Sequence, residues 1–118
     1  MATAWPDELR VDTSRSTLTI SFDGGERFVL PAEYLRVESP SAEVQGHSAA
    51  QKQTVAGKRH VRIVSIEPVG NYAARIIFDD GHDTGLYSWD YLYELGRDRN
   101  TRWSAYVSAL RKIGGKRE

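Results

Sequence analysis

Residues 61–95 read VRIVSIEPVGNYAARIIFDDGHDTGLYSWDYLYEL, and the periods within this stretch decide the fold. Over 61–69, Val61, Ile63 and Ser65 alternate with Arg62, Val64 and Ile66. Over 72–78, Tyr72, Ala74, Ile76 and Phe78 fall on one face. A period of two marks a half-buried strand. Pro68-Val69-Gly70-Asn71 turns the first strand into the second, and Asp79-Asp80-Gly81-His82-Asp83 is a second tight turn leading to a short strand over 84–87. Ser88 then offers an N-cap with Asp90 just inside. Gly96 is expected to stop a helix over 88–95.

Outward from this stretch the pattern repeats. Residues 8–11 and 18–22 read as strands around the turn-rich 12–16, and Asp23-Gly24-Gly25 supports a hairpin between 17–22 and 27–30 with Leu18, Ile20 and Phe22 facing inward. At 30–36 the period changes: Pro31 suits a first helical turn, Glu33 its positive end, and Leu30, Tyr34 and Leu35 share a side. Residues 38–59 carry no sustained apolar period and are expected to form one long loop. A last helix opens at Asn100 or Thr101, runs over about 101–113 with Trp103, Tyr106, Val107, Leu110 and Ile113 on one stripe, and ends at Gly114-Gly115. The expectation is one α+β domain over 1–118: a mainly antiparallel sheet, a short helix after the first hairpin, and two C-terminal helices.

Composition narrows the chemistry. The 118 residues suffice for one buried core, and the lack of cysteine excludes disulfides, thiolate metal sites and cysteine nucleophiles. No apolar run approaches the roughly 20 residues a bilayer needs, so no membrane partner is expected. Residues 1–6 lack a basic stretch followed by an apolar core, which predicts a cytoplasmic protein of bacterial type. The zero formal charge divides into −4 over 1–50, −1 over 51–96 and +5 over 97–118. The basic C-terminus reads as a solvated helix end favoured by the helix dipole. Trp103 and Tyr106 belong to the apolar stripe, so a nucleic-acid partner is not expected.

No catalytic set can be assembled. Gly114-Gly115-Lys116-Arg117 lacks the hydroxyl of a phosphate-binding loop and lies at the wrong helix end, and no Gly-x-Ser-x-Gly elbow occurs. None of His47, His60 and His82 has a carboxylate two residues on, the usual spacing of an iron-binding facial triad. His82 lies among Asp79, Asp80 and Asp83 in a turn that suits a cation or simply a hairpin. Tyr87, Trp89, Tyr91 and Tyr93 suit either recognition or packing.

The stretch from Asp79 to Leu92, preceded by Val69-Gly70-Asn71-Tyr72-Ala73, resembles the gamma-butyrobetaine hydroxylase-like N-terminal domain family, long catalogued as an uncharacterised conserved domain (DUF971). Its pattern there is Asp-Gly-His-x-x-Gly-Ile-Tyr-Ser/Thr-Trp. Upstream, Leu35-Arg36-Val37-Glu38-Ser39-Pro40-Ser41-Ala42-Glu43-Val44 is similar to the family's Leu-Arg-x-x-Cys-Pro-Cys-x-x-Cys segment, and the likeness spans about 6–95. The resemblance implies the fold. For metal-containing members it implies a zinc site of three cysteines and one histidine, whose positions fall here on Ser39, Ser41, Val44 and His82. Only the histidine is a good zinc ligand.

The family precedes oxygenase domains in carnitine-pathway hydroxylases and accompanies P-loop ATPases of iron-sulfur assembly, but this chain has neither motif. The leading expectation is a non-catalytic accessory domain, without a cofactor, that binds another protein, with iron-sulfur or redox metabolism as the setting. Its expected surface is Asp79, Asp80, His82, Tyr87, Trp89, Ser39 and Ser41. The alternative is a zinc or iron site drawn from His82, His47 and Asp83, with Glu43 as a further donor.

Overall fold

Backbone pairing divides the strands into two sheets where the sequence suggested one. In the computed structural model, which describes residues 5–46 and 52–118, β1 (Pro6–Val11), β2 (Thr17–Phe22) and β3 (Arg27–Pro31) form an antiparallel sheet in that order. A second antiparallel sheet contains β4 (Ile63–Val69), β5 (Ala73–Phe78) and β6 (Leu86–Ser88). The helices are α1 (Ala32–Val37), α2 (Ala42–Gln45), α3 (Trp89–Arg97) and α4 (Arg99–Lys112). The chain is thus α+β. No described helix is long and apolar enough to cross a membrane.

One core lies between the sheets and beneath α1 and α3. Leu18, Ile20 and Phe22 of β2 meet Ile63 of β4, Ile76 and Phe78 of β5, Tyr34 and Leu35 of α1, and Leu92 and Leu95 of α3, all essentially out of water. The expected alternation holds in β2 and over Ala74–Phe78 of β5 and fails in β4, while Tyr72, expected on the same inward face, precedes β5 and is 57% exposed. Ile63 pairs with Phe78 but Ser65 pairs with Ile77, so Val64 is an extra residue in the ladder. This bulge shifts the phase: Val64 is exposed, and Ile66 returns to pack on the core. It lies where the first sheet is tied to the second, with the Ile63 amide donating to the Arg15 carbonyl and the Arg15 guanidinium donating to the Val64 carbonyl, both at 2.8 Å.

Four expectations are corrected. Gly96 does not stop α3, which runs on to Arg97 and passes directly into α4 at Arg99. The glycine serves packing: a Cβ there would lie 2.3 Å from Cγ of Phe28, whose ring meets Phe22 and Tyr93 edge to face. Ile113 does not join the buried stripe. It lies beyond the helix and is 60% exposed, while Tyr106 and Leu110 pack on Val37 in a second small cluster. Nor is 38–59 one long loop, since α2 forms within it. Glu38, Ser39, Ser41 and Val44 are buried, and Ser41 caps α2 by accepting from the Glu43 amide. Finally, the basic C-terminus is not merely solvated. Arg117 makes a two-pronged pair with buried Glu33 at 2.7 and 2.8 Å and stacks on Trp103, and Arg102 reaches buried Glu38 at 3.0 Å.

A Gly96→Ala exchange sets about 1 kcal/mol of better helix propensity against overpacking that costs about 1–3 kcal/mol. The overpacking should win, because a 2.3 Å approach forces the Phe28 ring to move. Urea denaturation is expected to show a lower midpoint for the variant; an equal or higher one contradicts this packing role.

Candidate functional site

The chain leaves α1 inside the molecule. Leu35, Val37, Glu38 and Ser39 are each at most 3% exposed, so the polar groups of this segment need partners from elsewhere in the fold. Tyrosines supply several: Tyr87 of β6 donates its hydroxyl to the Leu35 carbonyl, and Tyr91 of α3 donates to the Glu38 carbonyl. Burial pushes the Tyr87 and Tyr91 hydroxyls up, the latter to about 12, so both remain protonated donors.

The next residue meets the turn between β5 and β6. Ser39 Oγ lies 2.9 Å from Nε2 of His82, both residues being buried, and also accepts from the Ser41 amide at 3.3 Å. On the other side of the ring, Nδ1 lies 3.4 Å from the exposed Glu43 carboxylate, long for a hydrogen bond but close for a charge. A carboxylate only accepts, so this contact favours the tautomer with the proton on Nδ1, in which Nε2 accepts from the Ser39 hydroxyl. Thr84 closes the cluster, its hydroxyl donating to Ser41 Oγ at 3.1 Å and lying 3.2 Å from Glu43.

Asp80 holds the turn from below. It accepts from the His82 amide at 3.0 Å and pairs with Arg36 at 2.8 Å and Lys58 at 2.6 Å. Burial alone would raise its carboxyl, but hydrogen bonds from Lys58, the His82 amide and Arg36 outweigh this and hold it at about 2. Burial, and then the Arg36 charge, lower the His82 pKa against the opposing pull of Glu43 and Asp80. The ring is therefore neutral at pH 7.

Of the expected interaction residues, Ser39, Ser41, His82, Tyr87 and Trp89 are buried, and Asp80 is committed to Arg36 and Lys58. Asp79 is at the surface with its carboxylate accepting from the Arg62 amide. Tyr87 in particular cannot face a partner, because its ring completes the core. Asp83 lies 3.8 Å from Arg75, and His47 falls outside the described residues. Glu43, expected only as a further metal donor, and Thr84, which nothing in the sequence set apart, join the cluster. The order hydroxyl, imidazole, carboxylate matches a hydrolytic relay. Ser39 has no exposed surface, however, and Gly85, Pro40 and Tyr87 close over it, so a substrate does not reach its Oγ in this conformation.

The implied zinc does not fit the donors present. Ser39 and Ser41 offer neutral hydroxyls, Val44 offers nothing, and among the described residues no three histidine or carboxylate side chains converge on a point. Arg36 adds positive charge beside the ring, and its Nη1 is buried without a hydrogen-bond partner.

These features define a small α+β domain with a buried serine-histidine cluster between the exit of α1 and the β5–β6 turn. Residues 9–93 match the family described as gamma-butyrobetaine hydroxylase-like, N-terminal, and the chain belongs to that family. Two proteins with NMR solution structures are similar to it over nearly its whole length. One is 42% identical, covering 99% of this chain and 92% of its own, with TM-score 0.85. The other is 46% identical, covering 98% and 86%, with TM-score 0.84. A crystal structure of a DUF971-family protein of unknown function from Acidithiobacillus ferrooxidans is 37% identical, covers 77% of this chain and 91% of its own, and has TM-score 0.65. No curated protein matches.

Stability should depend on pH in two stages. The unfolded chain takes up a proton at His82 near 6.5, but the folded chain resists it, so stability is full above that pH and falls as pH drops below it. The Asp80 contribution is present above about 4 and is lost as pH falls towards 2. Urea midpoints at pH 7.5 and 5.5 should differ more for the wild type than for His82→Gln; equal differences contradict the first stage.

Proposed function

We propose that this chain is a non-catalytic accessory domain that acts by binding another protein, through a surface at the start of α3. The observation that carries this reading is an aromatic groove. Trp5, 46% exposed, and Tyr72, 57% exposed, flank a cavity of about 230 Å³ also lined by Asn71, Ser88, Trp89 and Asp90. Trp89 is fixed as its floor, since its indole N–H donates to the Asn71 carbonyl at 2.9 Å and its amide donates to the Tyr72 carbonyl. Large aromatics displayed over a rigid base are the residues that carry most of the energy at protein interfaces. The groove moves the expected surface away from His82 while retaining Trp89. Iron-sulfur or redox metabolism, the setting implied by the family resemblance, supplies the first partners to try.

Affinity chromatography from the native host, with partners identified and their affinities then measured on purified protein, tests this. A Trp5→Ser/Tyr72→Ser double variant is expected to lose about 2 kcal/mol or more of binding, a fall of roughly 30-fold. A Val64→Ser variant, altering an apolar residue elsewhere, should bind as wild type. Equal binding by all three proteins, or a turnover assay showing that the purified chain transforms a substrate, would overturn the proposal.

A further inference from the structure

We infer that in this chain a Ser39–His82 hydrogen bond, with the Glu43 carboxylate beside the ring, has taken the place of a metal ion, so that the exit of α1 and the β5–β6 turn are joined without one, while the surrounding geometry remains that of a metal site. The inference is independent of the groove and of any partner.

Three observations support it. Three of the four positions that the family resemblance assigns to ligands meet in space: Ser39 touches His82 and the Ser41 amide touches Ser39, while Val44 follows in the next turn, its amide donating to the Ser41 carbonyl. Val44 is buried, yet it belongs to neither apolar cluster of the described residues. Second, the histidine is oriented as a ligand would be. A metal-binding imidazole commonly turns its other ring nitrogen to a carboxylate, and His82 has Nδ1 beside Glu43 while Nε2 faces the cluster. Third, the charge fits the hydroxyls and not an ion. With Arg36 and Lys58 balanced by Asp80 and Glu43, the surroundings are close to neutral around a neutral ring. A divalent cation would bring two uncompensated charges, whereas the Ser39 hydroxyl satisfies Nε2 with none.

The experiment has two arms, both read with zinc. Wild-type protein purified without a histidine tag is expected to hold under about a tenth of an equivalent of zinc or iron and to melt at the same temperature with and without chelator. The Ser39→Cys/Ser41→Cys/Val44→Cys triple variant restores three thiolates around His82. It is expected to bind one equivalent of zinc, to melt higher with zinc than with chelator, and with cobalt to give the thiolate charge-transfer and visible bands of a tetrahedral site. Near-stoichiometric metal in the wild type, with loss of stability on chelation, would overturn the replacement. A triple variant that binds zinc no better than wild type, or that fails to fold even in its presence, would overturn the retained geometry.

Discussion

The segment from Arg36 to Ser41 passes through the interior without belonging to a sheet, and burial of its polar groups constrains much of the surrounding structure. A buried donor or acceptor left without a partner costs about 1–3 kcal/mol, so several such losses would consume a large share of a small domain's stability. Partners therefore come from every direction: β6 through Tyr87, α3 through Tyr91, α4 through Arg102, and the β5–β6 turn through His82 and Asp80. Apolar packing accompanies this pairing, with Tyr106 and Leu110 against Val37 and the Tyr87 ring in the core with Leu35.

This constraint explains the choice of residues around the cluster. Tyrosine suits the task because its ring packs while its hydroxyl donates, and Tyr34 and Tyr106 repeat the device, donating to the Leu95 and Val55 carbonyls. Arginine suits the buried carboxylates because its planar fork meets both oxygens, as Arg117 does with Glu33. A neutral hydroxyl suits His82 Nε2 for the same economy: it supplies the one hydrogen bond the nitrogen requires and introduces no charge.

Much of this was legible in the sequence, for physical reasons that also mark where reading stops. The hairpin of β4 and β5 declares itself because Ala74, Ile76 and Phe78 share a face and Gly70 takes φ +56° in the turn. The bulge at Val64 does not, since the extra residue is tied to hydrogen bonds with Arg15, 49 positions away. Gly96 misleads because a glycine near a helix end commonly caps it, whereas here the tertiary approach of Phe28 decides. At the site, Ser39, Ser41 and His82 were found by resemblance to a ligand pattern. Glu43 and Thr84 were not given their present contacts, because a carboxylate and a hydroxyl in polar stretches look like surface until the fold brings them across about 40 residues of chain. Glu33 and Glu38 likewise read as ordinary helix carboxylates until Arg117 and Arg102 are seen to reach back to them.

The central claim, that a neutral hydrogen-bonded histidine joins these segments, is open to direct measurement in the nitrogen spectrum of the His82 ring. Long-range proton–nitrogen correlation at pH 7 on uniformly labelled protein reports protonation and tautomer for each histidine. The account predicts a neutral His82 ring in a single tautomer, with the proton on Nδ1 and Nε2 shifted as a hydrogen-bond acceptor, unchanged by chelator. A charged ring, a rapidly averaged pair of tautomers, or an Nε2 signal that moves when metal is removed would contradict it.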